Sequence, residues 1–337
     1  MTPLPVGKLP AGLLQDMLDR HASCDPRVVL GPGNGEDAAL IEMGDRFLVA
    51  KTDPVTFATD EIGWYAVHVN ANDVACCGGT PRWFLATLLL PENGTTPELV
   101  ESIFGQLAKA CRQLGVSLCG GHTEITHGLE RPIVVGQMLG EVAADGYVTS
   151  SGARAGDALI LTKGIAIEGT SLIVKEKRDE LRGVLSDADV RRCANFIHVP
   201  GISVVKDAQL ALEVGEVHAL HDPTEGGVAT GLWELAQASN VGLVIEEERL
   251  PILPECDALC RHFGLDPLGL IGSGSLLIAA AKDRAAAIIQ RLHSEGIAAA
   301  LIGQVVPVED ECCIRSPDRT LRPLPTFSRD EIARLFG

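Results

Sequence analysis

From residue 62 to residue 90 the chain is apolar nearly all round, broken by a single acid in its middle. Residues 62–79 read as a helix buried on most sides, and residues 83–90 as an interior strand that follows it. The acid is Asp73. An unpaired carboxylate in such surroundings costs several kcal/mol or takes up a proton, so this one needs a partner. Asn70 stands three positions earlier on the same helical face and can point at the same ligand. Taken alone, an acid satisfied by backbone amides or an arginine is the simpler explanation. Other acids of the same kind elsewhere in the chain change that balance.

Ahead of this stretch, Leu14, Met17 and Leu18 recur at helical spacing and predict a short amphipathic helix over 11–20. Strands are expected at 28–30, 38–41 and 47–51, the last two forming a hairpin through Met43-Gly44-Asp45. A glycine-dense loop, 31–37, lies between the first two, and the third strand ends in Thr52-Asp53-Pro54. Thr96 and Pro97 are the N-cap and first residue of a helix that Gly115 stops. A strand at 116–119, a turn at Gly120-Gly121-His122-Thr123-Glu124 and strands near 133–139 and 147–149 follow. Small residues and glycines cluster at 151–156, where we place the boundary between domains 1–152 and 153–337.

The second half alternates again. We expect a strand at 158–161, helices between 167 and 211, a strand near 217–220, and the turn His221-Asp222-Pro223-Thr224-Glu225-Gly226-Gly227. A helix to about residue 239, a strand at 243–245, a helix near 256–262, a strand at 275–280 and a helix at 284–295 complete the pattern. Residues 328–336 read as a capped helix. Strands mixed with long helices, some hairpin-like and some crossing over, predict α+β layers in both halves.

The chain has 337 residues, enough for two domains, and its mean hydropathy of +0.19 allows both to be well packed. It has no run long and apolar enough to span a membrane and no signal peptide, so a cytoplasmic, soluble protein is expected. A net charge of -17 argues against a nucleic-acid partner. The ten cysteines read as free thiols, because their spacing fits neither a secreted framework nor a paired zinc motif.

Three aspartates, Asp37, Asp53 and Asp222, stand in loops or turns rich in glycine or small residues, and Asp73 stands on the buried helix. Mg²⁺ is commonly held by one or two carboxylates, with substrate phosphates completing its shell. Such acids converging on one cleft would suit Mg²⁺ and a nucleotide triphosphate. Each has a plainer explanation: Asp37 ends a turn, Asp53 caps local structure before Pro54, and Asp222 with Pro223 and Glu225 makes a capping box. The capping box leaves Gly226-Gly227 unexplained, since a glycine inside a helix costs about 1 kcal/mol against alanine. Glycines there let a phosphate approach a helix N-terminus. There is no P-loop or dinucleotide fingerprint. His122, Glu124 and His127 are a weaker alternative as zinc ligands, because a turn histidine more often serves as a hydrogen-bonding or phosphate-side residue.

Five motifs in order resemble the superfamily of ATP-binding enzymes related to aminoimidazole ribonucleotide (AIR) synthetase. It includes HypE-like hydrogenase-maturation factors, selenophosphate synthetase and thiamine-monophosphate kinase. Gly35-Glu36-Asp37-Ala38-Ala39 is similar to its acidic loop and Lys51-Thr52-Asp53 to a strand end. Residues 70–78 with Pro81 resemble its N-D-x-A-x-x-G-x-x-P helix, Gly120-Gly121-His122-Thr123 its G-G turn, and residues 222–227 its D-x-T-x-G-G motif.

The resemblance implies a two-domain AIR-synthetase-like (PurM-like) α+β fold. The N-terminal sheet would form a barrel across a homodimer, beside a C-terminal α/β-layer domain, with ATP between the domains. By position, Asp37, Asp73 and Asp222 would hold Mg²⁺. Asp53, Asn70, Gly120, Gly121, Thr123, Gly226 and Gly227 would bind the nucleotide, with Lys8 and His122 as catalytic candidates. The implied chemistry is ATP-dependent activation, by phosphorylation or dehydration, of a small or peptide-borne substrate. The HypE-like branch adds metalloenzyme-maturation proteins as partners. HypE acts on its own C-terminal cysteine, whereas here no cysteine follows Cys313. A small-molecule kinase and a nucleotide-binding assembly scaffold are the alternatives.

Overall fold

Ten residues of unbroken extended chain, β3 (Arg46–Val55), carry the first sheet. In the computed structural model, which describes residues 4, 9–22, 25–32, 37–56 and 60–336, β3 pairs with β2 (Ala39–Glu42) through the expected hairpin. On its other side it pairs with β6 (Ile133–Ala143). With β1 (Val28–Leu30), β4 (Thr80–Pro91) and β5 (Ser117–Thr126) the order is β1-β2-β3-β6-β4-β5, antiparallel except for β4 beside β5. Lys8 and the Gly35-Glu36 half of the acidic loop lie outside the described residues.

A short helix, α1 (Ala11–His21), precedes the sheet. Against the sheet lie α2 (Ile62–Cys76) and α3 (Pro97–Leu114), the latter capped by Thr96 and ended by left-handed Gly115 as its sequence predicts. All of α2 except Val69 is buried, because its far side faces the second half of the chain. There Asn72 accepts from the Val204 N–H and donates to the Ile202 carbonyl, each at 2.9 Å.

The second sheet runs β13-β12-β9-β11-β7-β10-β8. Its strands are β7 (Ala158–Thr162), β8 (Val217–His221), β9 (Gly242–Glu246), β10 (Leu277–Ala280), β11 (Ala299–Val306), β12 (Cys312–Arg315) and β13 (Leu321–Pro323). Strand alternation sends Ala158 and Ile160 into a core shared with α2, and Leu159 and Leu161 into a separate core on the opposite face. The first face is covered by α6 (Val205–Val214) and α9 (Ala285–Ser294). The second is covered by α4 (Ile167–Glu176), α5 (Asp187–Ala194), α7 (Gly227–Ser239) and α8 (Pro254–Phe263).

Four local expectations change. Residues 120–124 are not a turn but the middle of β5, which runs as an exposed edge strand beside β4. Residues 147–149 form no strand. The capping box at Asp222 does not form: α7 starts five residues later, with left-handed Gly226 as its N-cap. Near the C-terminus only α10 (Ala333–Phe336) is helical. Asp330 is instead consumed by accepting from the N–H groups of Gly226, Ile271 and Ile332, which ties this segment to the α7 turn.

Candidate functional site

Four segments meet at one buried spot. The helix α2 contributes Asp73 and, one turn later, Cys76. The end of β8 contributes His221 and Asp222, the approach to β2 contributes Asp37, and β3 contributes Lys51 and Asp53. Donor atoms of Asp37, Cys76 and Asp222 all lie within 4.8 Å of one another. The Cys76 thiol donates to Asp222 Oδ1 at 3.4 Å. Lys51 Nζ stands 3.1 Å from Asp73 Oδ2 and 3.7 Å from Asp53 Oδ2. Ser150 Oγ donates to Asp37 Oδ2 at 2.9 Å, and His221 bridges from Asp37, at 3.5 Å, to Glu234, at 2.9 Å.

Electrostatics follow from burying this many acids together. Burial, reinforced by Asp37, pushes Asp222 up to about 7. Burial also raises Asp73, against the pull of Lys51 and with the push of Asp222 and Asp37. Asp37 is buried too, but His221 and Lys51 outweigh the desolvation and hold it below the usual carboxylate range. For His221, burial disfavours the charge, yet Asp37 and Glu234 raise its pKa well above normal. Lys51 is likewise held charged by Asp73 and Asp53 despite its burial.

The cluster therefore carries more negative potential than its own cations relieve. Asp222 Oδ2 is buried without a hydrogen-bond partner, and such an unmet group costs about 1–3 kcal/mol. A hydrated divalent cation would satisfy it, and an all-oxygen set of carboxylates suits Mg²⁺. The residues present fit that ion.

Not every expected residue joins the cluster. Asn70 turns its amide N–H₂ onto the Ala66 and Asp53 carbonyls, at 2.8 and 3.2 Å. Gly226 and Gly227 have the positive φ values of 76° and 65° that glycine permits, but both N–H groups are already taken, by Asp330 and Thr224. Gly120, Gly121, His122 and Thr123 line a separate hollow of about 320 Å³ with Ala86, Phe104 and Leu118. There His122 pairs with Glu124 at 3.2 Å, while His127 pairs with Glu92, so the three groups weighed as zinc ligands do not gather. A larger hollow of about 640 Å³, lined by Glu246, Glu248, Arg249, Arg315 and Arg319, includes none of Asp37, Asp53, Asp73 and Asp222.

Sequence reasoning passed over Lys51, Cys76, Ser150 and His221 as site residues. Three of them lay inside or beside quoted motifs: Lys51 two residues before Asp53, Cys76 three after Asp73, and His221 next to Asp222. Ser150 carried no signal.

Family models match both halves: the N-terminal domain of AIR synthase related protein over residues 35–142 and its C-terminal domain over residues 154–312. The chain belongs to the AIR synthase related family. Among relatives, the carbamoyl dehydratase HypE of Cupriavidus necator is 32% identical over 285 residues, spanning 82% of this chain and 78% of that protein. A crystal structure of the hydrogenase maturation protein HypE in complex with ATP is 26% identical, with a TM-score of 0.72 over 97% of each chain. The structure of AaThiL complexed with AMPPCP and TMP shares the fold, at 23% identity and a TM-score of 0.72, over 90% of this chain and 92% of that one. The two-domain α+β architecture expected of the AIR synthase related family is the one observed.

Proposed function

We propose that this member of the AIR synthase related family is a Mg²⁺-dependent, ATP-using enzyme that activates an oxygen of a small or peptide-borne substrate. The observation that carries the reading is the gathering of Asp37, Asp73 and Asp222 from three distant parts of the chain into one acid-rich, buried cluster. Asp37, Asp73 and Asp222 would hold Mg²⁺, whose chemistry there would be to offset charge on a phosphoryl group in transfer. Lys51 pulls Asp73 toward its charged form against its burial, and His221, itself held by Glu234, orients Asp37. Asp53, Asn70, Gly120, Gly121, Thr123, Gly226 and Gly227 are assigned to the nucleotide by family resemblance, and Lys8 and His122 to the phosphoryl end.

The reaction we favour is dehydration, in keeping with the carbamoyl dehydratase name of the relative, within hydrogenase maturation and alongside other maturation proteins. A homodimer is part of this reading. The unpaired edge of β5 presents Leu118 and Ile125, 37% and 63% exposed, with Phe104 beside Leu118, to a second copy. We place the protein in the cytoplasm; no disulfide joins its described cysteines, and no described helix is long and apolar enough to cross a membrane.

Calorimetry of Mg-ATP binding tests the site. Asp73→Asn and Asp222→Asn should each weaken binding while far-UV circular dichroism stays native, and unchanged affinity in both would remove the assignment. Product analysis then separates the reactions. ADP formed only with a carbamoyl- or thiocarboxamide-bearing partner supports dehydration, whereas ADP with a phosphorylated metabolite makes the protein a kinase. Tight ATP binding without any turnover makes it a scaffold.

A further inference from the structure

Cys76 belongs to the acid cluster by position but has no part in magnesium chemistry. Its side chain is 1% exposed, and its sulfur faces Asp222 Oδ1 at 3.4 Å. A buried cysteine is ordinarily a small apolar filler. A filler gains nothing from facing two carboxylates, one of which has an unpartnered buried oxygen: Asp222 is 3% exposed and its Oδ2 has no hydrogen bond. The rigid α2 fixes the sulfur there, and β8 and the Asp37 loop bring one carboxylate each. With sulfur and oxygen ligands at about 2.3 and 2.1 Å, a tetrahedral zinc site keeps its donors roughly 3.4–3.8 Å apart. The trio, already within 4.8 Å, needs only about 1 Å of side-chain movement to reach that geometry.

We propose that Asp37, Cys76 and Asp222 form a mixed thiolate–carboxylate site for a borderline-soft divalent ion, of the zinc or cobalt type. This rests on reading Asp37 and Asp222 as cation ligands. Magnesium is a hard ion that ignores sulfur, whereas thiolate ligation selects zinc-like ions. Such an ion would compete with Mg²⁺ for the same two carboxylates and so displace Mg-ATP, making the cluster sensitive to the balance of available metals.

The test uses the full chain and the metals alone. Co²⁺ titration should produce a near-ultraviolet thiolate-to-cobalt charge-transfer band in the wild type and none in Cys76→Ser. Zinc affinity by calorimetry should fall in that variant by at least the order of 10–100-fold that loss of a mere supporting residue costs. Cys76→Ala serves as a second variant, and circular dichroism confirms that both fold. Absence of the band in the wild type overturns the proposal. So does a band that survives in both variants, since an exposed thiol such as Cys119 would then be its source. Mg-ATP calorimetry of Asp73→Asn, outside the trio, judges the magnesium reading separately, so the two can fail independently.

Discussion

Lys51 Nζ lies 3.1 Å from Asp73 Oδ2, an ion pair that fastens β3 to α2 at the wall of the acid cluster. The two side chains are 20% and 9% exposed, so the pair is poorly screened. Removing one partner of a buried pair costs about 3–5 kcal/mol because the other charge is stranded. Lys51→Met should therefore destabilise the protein by about 3 kcal/mol, the lower end, since the lysine keeps some solvent contact. Urea unfolding near neutral pH measures this, and an unshifted midpoint would show the pair to be energetically idle.

Glu168, on the first turn of α4, gives the chain a pH-dependent stability of its own. Burial pushes its pKa up from 4.5 to about 7, against a hydrogen bond from Ser273. A raised carboxyl pKa means the folded state holds the proton more tightly. The resulting stability is complete below about 4.5 and disappears as pH rises through about 7. That rise is worth roughly 3 kcal/mol. Glu168→Gln, which stays neutral, should be more stable than the wild type at alkaline pH by up to that amount, with a much smaller gap under acid conditions. Denaturant curves across this range decide it, and parallel pH profiles would refute it.

His68 sets the opposite limit. It is 1% exposed, its ring lies 4.3 Å from that of Trp64, and neither ring nitrogen has a partner. Burial, aided by His198 and Lys163, lowers its pKa from 6.5 to about 3. Stability from the neutral ring is present above 6.5 and is lost as pH falls toward 3. His68→Phe should shift acid unfolding to lower pH, and an unchanged acid midpoint would show that other groups govern it.

Gly227 opens α7 at φ +65°, and a Cβ there would fall 2.5 and 2.6 Å from the carbonyl oxygens of Leu268 and Leu270. Gly227→Ala should cost about 1–3 kcal/mol of stability. Because the Thr224 carbonyl accepts from both Gly227 and Gly272, the same change should disturb Asp222 and weaken Mg-ATP binding. Thermal unfolding with calorimetry on the same sample checks both effects, and a variant as stable as the wild type would contradict the clash.

What the sequence supplied was mostly local. The continuous apolar character of residues 62–76 announced a helix buried on most sides, and Asp73 stood out within it because a charge there needs an external reason. Thr96, Pro97 and Gly115 bounded α3 correctly, since capping depends on neighbours a few residues apart. Local reading misled where distant groups competed. The capping box at Asp222 lost to Asp330, more than a hundred residues away, and 120–124 became strand because β4 offered it a ladder. The strands β11, β12 and β13 went unread, lying between the helix expected at 284–295 and the one expected at 328–336.

The partners inside the cluster belong to the fold alone. By itself the chain determined which acids were unusual and which helix had to be interior, because burial leaves its mark in residue type. That Lys51 would face Asp73, that Cys76 would stand against Asp222, and that His221 would link Asp37 to Glu234 was decided only when two sheets closed on opposite sides of α2. Electrostatic interaction depends on distance in space, and separations of up to 184 residues along the chain carry no record of it.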